Sequence, residues 1–115
     1  MITDVFAYGT LKRGGCRHHW LRRGGIVRIE PAWTSGVLLH FGEYPGMVAG
    51  RGRVLGELVR LRSAAILRRL DQVEGRQFRR ELIDVRTRDG AVRRAWAYKS
   101  NVTNAPRIRS GTWVG

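Results

Sequence analysis

The sequence has few of the residues that would assign it to a secreted or membrane-bound class of proteins. It contains a single cysteine, Cys16, so an internal disulfide framework is excluded. No apolar stretch approaches the ~20 residues that a membrane-spanning helix needs, and the first residues lack the basic start of a signal peptide. We therefore expect a cytoplasmic protein without membrane contact.

The chain is short, but it is not poor in the residues that build a core. Its 115 residues fit one domain, spanning 1–115, and 43% of them are hydrophobic, including four Trp, three Tyr and three Phe. A chain of this size buries roughly 65% of the surface that it exposes when unfolded. This composition excludes intrinsic disorder despite the high net charge.

Acidic residues are scarce, with nine Asp and Glu against 22 Lys and Arg, which leaves a net charge of +13. Twenty of the basic residues are arginines, spread along the chain in pairs such as Arg22-Arg23 and Arg93-Arg94 rather than gathered in one block. Two interpretations stay open. The surface could bind phosphate, RNA or an acidic partner, or the arginines could reflect composition expressed on solvated faces. Because no nucleic-acid-binding motif accompanies the charge, we do not expect a nucleic-acid partner.

The hydrophobic pattern predicts mainly strands. Apolar runs bounded by Gly, Pro and Asp predict strands at 4–8, 26–30, 36–41, 54–61, 81–88 and 91–99. Pro31 is expected to end the second strand, 42–46 to form a turn, and Asp89-Gly90 to form a two-residue hairpin turn. Segment 10–25 is expected to be a loop around a short helical turn near Trp20. The pattern indicates an α+β fold, with a small barrel-like sheet.

One main helix is predicted over 64–73, with Ser63 as its N-cap and Gly75 just past its end. On a helical wheel Glu74 lies about 20° from Leu67, inside the apolar arc. Burying a carboxylate is costly, and desolvation would raise its pKa towards the range of a useful acid and base. Two other interpretations remain, namely that Glu74 turns out to solvent at the helix end, or that it pairs with an arginine.

A second candidate feature is Tyr8-Gly9-Thr10-Leu11, directly after the first strand. Glycine at a strand end lets successive backbone N–H groups converge on an anion or an oxyanion, although an ordinary turn has the same sequence signal. Cys16, His18 and His19 do not have a usual metal-ligand spacing, so we expect no metal site. The four tryptophans are expected to be core or rim residues rather than stacking platforms.

These motifs and their order resemble the gamma-glutamylcyclotransferase-like family, including its small bacterial members and its gamma-glutamylaminecyclotransferase-like proteins. The segment 6–14 resembles the opening of the family, and the later segments that match it, in order, are Tyr44-Pro45-Gly46, 54–58, 70–75, 78–85, 95–98 and 110–113. The resemblance covers nearly the whole chain. No single motif is specific, but the ordered set is.

The resemblance implies a small mixed β-barrel with helices alongside and with no metal or organic cofactor. It implies that Glu74 is the catalytic acid and base. It also implies that Tyr8, Gly9, Thr10 and Leu11 line the pocket that holds the glutamyl group of a small-molecule substrate. The chain departs from the family pattern at Phe78 and Val59, where tyrosine is common, so two hydroxyl groups are missing from positions where they could affect substrate choice.

The expected reaction is the cyclisation of a γ-glutamyl amide or amine to 5-oxoproline with release of the free amine. Two alternatives of other classes are kept. One is a non-catalytic module on the same fold that binds a glutamyl-like metabolite. The other is an arginine-rich domain that binds nucleic acid, for which affinity would fall steeply with salt. The sequence leaves the leaving amine and the oligomeric state open.

Overall fold

The computed structural model describes residues 1–114 and contains six strands and two helices. In chain order these are β1 (Asp4–Ala7), α1 (His18–Arg23), β2 (Ile26–His40), β3 (Pro45–Leu61), α2 (Leu67–Glu74), β4 (Phe78–Thr87), β5 (Val92–Ser100) and β6 (Arg107–Ile108). Neither helix in this described part of the chain has the length and apolarity that crossing a membrane requires.

Five of the strands form a closed ring. β1 pairs with β3, β3 with β2, β2 with β4 and β4 with β5, all antiparallel, and a parallel pairing of β5 with β1 closes the barrel. β6 lies outside the ring and pairs with β2. The sheet is therefore mixed, and the expected α+β fold with a small mixed β-barrel is confirmed.

The alternation of side chains along β1 explains why the molecule has two hydrophobic clusters. Phe6 and Tyr8 belong to a cluster in the barrel, together with Val54, Leu58 and Trp113. The side chains of Val5 and Ala7 point to the opposite face of the strand. There they pack with residues of both helices, namely Leu21 of α1 and Leu67 and Leu70 of α2. β1 is therefore covered on both faces, which accounts for its unbroken apolar run.

The β2–β3 hairpin is longer than the sequence pattern predicts. The prediction that Pro31 ends a strand is wrong, because β2 continues through it and Pro31 lies opposite Glu57 of β3. At this point β2 has a strand partner on one side only, since its pairing with β4 begins at Ala32. Proline is tolerated at such an edge position, because on the open side there is no strand to which a backbone N–H could donate a hydrogen bond.

Helix α2 begins later than predicted. Its first residue is Leu67, and Ser63 is not its N-cap. The Ser63 hydroxyl instead accepts a hydrogen bond from the backbone N–H of Ala65, in the turn before the helix. The predicted end of the helix at residue 73 agrees with the structure to within one residue. The helix ends at Glu74, and Gly75 follows with a φ of 74°, a backbone conformation that favours glycine.

The β4–β5 connection is also one residue longer than the two-residue turn expected at Asp89-Gly90. The Thr87 N–H donates to the carbonyl of Ala91 across a three-residue loop. Gly90 has a φ of 85°, which places the positive φ at the end of this loop. The position of the turn was predicted correctly, and its type was not.

Candidate active site

A cleft opens where the segment after β1, the end of α2 and β5 meet. About 360 Å³ of it is free of protein atoms, including space open to solvent, and the centre of a water-sized sphere can occupy about 30 Å³ of this. The five residues that the sequence analysis assigned to a site, Glu74 and Tyr8 to Leu11, all line this one cleft. They come from two elements that are far apart in the sequence, so the fold brings them together.

Glu74 is the last residue of α2, and its side chain is 8% exposed. Burial raises the pKa of its carboxyl group, although the charge and the hydrogen bond of Arg17 act in the opposite direction. The guanidinium Nη1 of Arg17 donates to Glu74 Oε2 at 3.0 Å. The wheel therefore placed Glu74 on the correct face, and the interpretation that it pairs with an arginine also holds. A carboxylate in this setting has a proton affinity above the ordinary one and is suited to accept and return a proton.

Gly9 lets the segment after β1 pack closely against the start of β3. A Cβ atom at Gly9 would lie 2.6 Å from Cγ of Pro45, which is too close for any other residue without movement. The Tyr-Gly-Thr-Leu and Tyr-Pro-Gly motifs, separated by more than 30 residues in the sequence, are therefore in direct contact.

The turn after β1 lines the cleft and contains backbone donors that have no acceptor among residues 1–114. The Lys12 N–H donates to the carbonyl of Gly9 at 3.0 Å, which closes the turn. Within residues 1–114, the backbone N–H groups of Gly9, Thr10 and Leu11 donate to no protein acceptor. Three consecutive donors without partners beside a cleft are suited to hold an anion or a developing oxyanion.

The Tyr8 hydroxyl has structural partners. It donates to the carbonyl of Tyr98 at 2.5 Å and accepts from the backbone N–H of Met47 at 3.1 Å. Burial raises the pKa of this hydroxyl well above its usual range, with a further increase from the nearby charge of Glu74 and an opposing effect of the Met47 N–H. Tyr8 therefore remains protonated and contributes its ring to the cleft, while its hydroxyl connects β1 to β3 and β5.

Sequence analysis did not assign Arg17, Tyr44 or Tyr98 to the site, although all three line the cleft. Arg17 is one of twenty arginines, and nothing in its local pattern distinguishes it. The Tyr98 hydroxyl donates to Asp71 at 2.7 Å, and burial is the largest cause of its strongly raised pKa. Asp71, just outside the apolar arc of α2, thus positions a tyrosine beside the cleft. The alternation of side chains along β5 could have assigned Tyr98 to this region, because Tyr98 lies on the face of β5 that packs against the helices.

The two departures from the family pattern have different consequences. Phe78 lines the cleft, so the missing hydroxyl makes this wall less polar. Val59 is fully buried in the cluster against the helices and is not part of the cleft lining. Only the substitution at Phe78 therefore changes the surface that a ligand would meet.

The side chains considered for a metal site have other contacts. His18 Nδ1 lies 2.8 Å from the carbonyl of Leu11, and the His19 ring packs 5.1 Å from that of Trp20. Cys16 is exposed. Among the residues that the structure describes, no three His, Cys, Asp or Glu side chains form a group that could hold a metal ion.

The tryptophans occupy core and rim positions. Trp113 is buried in the barrel cluster, and the other three are partly buried. Each of those three has an arginine guanidinium over its ring, and the pairs are Arg23 on Trp20 at 4.6 Å, Arg53 on Trp33 at 4.2 Å and Arg80 on Trp96 at 4.3 Å. Part of the arginine excess therefore covers aromatic surface.

Comparison with known proteins gives a consistent result. Residues 5–115 match the family model described as gamma-glutamyl cyclotransferase, AIG2-like. The gamma-glutamylcyclotransferase family protein YtfP of Escherichia coli K12 is 32% identical over 114 residues, which cover 96% of this chain and 95% of that protein.

Solved structures show the same fold. The crystal structure of YkqA from Bacillus subtilis superposes with a TM-score of 0.80 at 29% identity, covering 98% of this chain and 40% of that one. An AIG2-like protein from mouse superposes with a TM-score of 0.79 at 23% identity, covering 94% of this chain and 86% of that one. The chain belongs to the gamma-glutamyl cyclotransferase, AIG2-like family.

Proposed function

We propose that this protein is a cofactor-free γ-glutamylcyclotransferase, which converts a γ-glutamyl amide or amine into 5-oxoproline and a free amine. One observation carries the proposal. Glu74, whose side chain is buried, and the segment Gly9 to Leu11, whose backbone N–H groups donate to no acceptor within residues 1–114, line the same cleft. A proton acceptor and an anion-binding turn in one small cleft are the two parts that this reaction needs.

The reaction is an intramolecular aminolysis in which Glu74 moves protons. Its carboxylate accepts a proton from the substrate's α-ammonium, and the freed nitrogen attacks the γ-carbonyl carbon to close a five-membered ring. The bond from that carbon to the leaving nitrogen then breaks. Two protons leave the ring nitrogen and two reach the departing amine, so no water is consumed. Because nucleophile and carbonyl belong to one molecule, holding the substrate in a folded conformation supplies much of the rate.

The other parts of the cleft have supporting roles in this scheme. Backbone N–H groups of the turn would stabilise the negative charge that develops on the carbonyl oxygen. The apolar rings of Phe6 and Phe78 line the cleft and limit access of water to Glu74.

The direct test is the release of 5-oxoproline from a panel of γ-glutamyl amino acids and γ-glutamyl amines. We expect turnover by the wild type and a loss of roughly 10²- to 10⁴-fold in kcat for Glu74→Gln, the usual contribution of a general acid and base. Glu81→Gln is the matched control, because this glutamate lies on β4, is half-exposed and does not line the cleft.

Two results would contradict the proposal. Glu74→Gln with the activity of the wild type would remove Glu74 from the mechanism. A wild-type protein that binds γ-glutamyl compounds without releasing 5-oxoproline would instead be a binding module on this fold.

A further inference from the structure

The main chain of Arg17 is hydrogen-bonded to the turn after β1, at Gly9 to Leu11. Its backbone N–H donates to the carbonyl of Thr10 at 2.9 Å, and the neighbouring His18 ring contacts the carbonyl of Leu11 at 2.8 Å. The position of Arg17 is therefore set by the same turn that lines the cleft, even though Arg17 lies six positions after Leu11 in the sequence.

The side chain of Arg17 brings a positive charge next to a negative charge in the cleft. Among the described residues that line the cleft, Arg17 is the only cation and Glu74 the only carboxylate, and the two side chains meet at 3.0 Å. Arg17 uses only Nη1 for this contact within residues 1–114, and its side chain is 38% exposed. The remaining N–H groups of the guanidinium are therefore available to a ligand.

The proposed substrate has the complementary pair of charges. In a γ-glutamyl group the α-ammonium and the α-carboxylate are attached to the same carbon, which holds nitrogen and oxygen about 3 Å apart. Once the ammonium faces Glu74, as proton transfer requires, the carboxylate is within reach of the arginine. A guanidinium presents paired N–H groups that match the two oxygens of a carboxylate.

We infer that Arg17 is the receptor for the substrate's α-carboxylate, so that substrate binding exchanges the Arg17–Glu74 ion pair for contacts with both charges of the α-amino acid group. This inference rests on the proposed function. It assigns the α-carboxylate to a side chain and leaves the N–H groups of Gly9 to Leu11 for the carbonyl oxygen. It also makes Arg17 a specificity residue, which selects γ-glutamyl compounds over amides that lack the α-carboxylate.

The test compares two substrates in two variants. The substrates are L-γ-glutamyl-methylamide and 4-aminobutanoyl-methylamide, which differ only in the α-carboxylate. In the wild type we expect removal of the carboxylate to lower kcat/KM by roughly 10- to 100-fold, the range of hydrogen bonds to charged groups. In Arg17→Met, removal of the carboxylate is expected to have little effect on kcat/KM. Arg17→Lys should restore part of the preference, because lysine keeps the positive charge but lacks the paired N–H groups of the guanidinium.

Arg13→Met is the matched control. Arg13 belongs to the same connecting segment, is 63% exposed and pairs with Glu57 rather than with a cleft residue. It removes the same charge, so it should keep the full preference for the carboxylate. A variant that had merely lost its structure would slow both substrates equally, and so would one that had only displaced Glu74. Equal losses in Arg17→Met would therefore overturn the inference.

Calorimetric binding of the two methylamides separates this inference from the proposed function. Turnover without an Arg17-dependent carboxylate preference would leave the function standing and overturn the Arg17 assignment. Carboxylate-dependent binding that Arg17→Met abolishes, without any turnover, would support the subsite and overturn the function. Absence of both binding and turnover in the wild type would overturn both.

Discussion

Gly9 and Pro45 approach so closely that a single methyl group at Gly9 would lie 2.6 Å from Pro45 Cγ and 2.9 Å from Pro45 Cδ. This contact joins the turn that carries the backbone donors to the first residue of β3. It sets the distance across the cleft between the turn at Gly9 to Leu11 and the wall formed by Tyr44 and Pro45.

Gly9→Ala should therefore displace the turn and lower kcat/KM, with a destabilisation of about 1 to 3 kcal/mol from overpacking. The atoms in conflict, Pro45 Cγ and Cδ, are absent from alanine, so Gly9→Ala/Pro45→Ala should recover part of both losses. A double-mutant cycle on thermal unfolding and on 5-oxoproline release measures this coupling. Strictly additive effects of the two substitutions would show that the contact does not constrain the turn.

Tyr8→Phe should destabilise the protein, because it leaves the buried carbonyl of Tyr98 and the N–H of Met47 without their shared partner. The expected cost is about 1 to 3 kcal/mol, which corresponds to a fall in Tm of at least about 4 °C. Tyr44→Phe is the comparison, since the Tyr44 hydroxyl has one side-chain partner, Gln77, at 2.6 Å. A Tm for Tyr8→Phe equal to that of the wild type would contradict the bracing role of this hydroxyl.

Glu74→Gln should raise the stability of the folded protein at neutral pH. Burial raises the pKa of Glu74 in the folded state, so the unfolded chain ionises first as the pH increases. The wild type therefore loses stability between the unfolded and the folded pKa, and the glutamine variant does not. We expect a higher Tm for Glu74→Gln near pH 8, and the difference should disappear below about pH 3, where both states of the wild type are protonated. A lower Tm for the variant at both pH values would contradict the dominance of desolvation.

Arg17→Met should move the acidic limb of the kcat/KM profile to higher pH. The charge and the hydrogen bond of Arg17 both lower the pKa of Glu74, so their removal raises it further. Because the proposed mechanism begins with the carboxylate form, activity should then appear only at a higher pH. The profile of Arg13→Met should match that of the wild type. An unchanged acidic limb in Arg17→Met would show that the ion pair does not form in solution.

Many of the side chains that contribute to the net charge of +13 have structural partners. Within the described residues, seven of the nine acidic side chains take part in ion pairs, and five arginines lie over tryptophan rings. The contact that bears on the site is one of these pairs, between Arg17 and Glu74.

Much of the local structure was predictable because it depends on neighbours in the sequence. The apolar arc of α2 placed Glu74 on the buried side, and Gly75 ended the helix as expected. The start of α2 was not predictable in the same way. The Ser63 hydroxyl, which could cap a helix, instead accepts a hydrogen bond from Ala65 in the turn that precedes α2. Pro31 does not end β2 as the sequence predicted, because proline interrupts a strand only where it would have to pair with a second strand on its other side.

By itself, the sequence determined the fold class, the family resemblance and the two candidate pieces of the site, Glu74 and Tyr8-Gly9-Thr10-Leu11. Strand alternation, helical periodicity and glycine positions are all short-range signals, and they need no partner to be recognised. Only the tertiary structure decided that Arg17 is the arginine beside Glu74, that the Tyr8 hydroxyl is occupied by backbone groups, and that Phe78 rather than Val59 faces the cleft. These facts depend on the closure of the barrel, which sets the distances between residues that lie 57 to 90 positions apart.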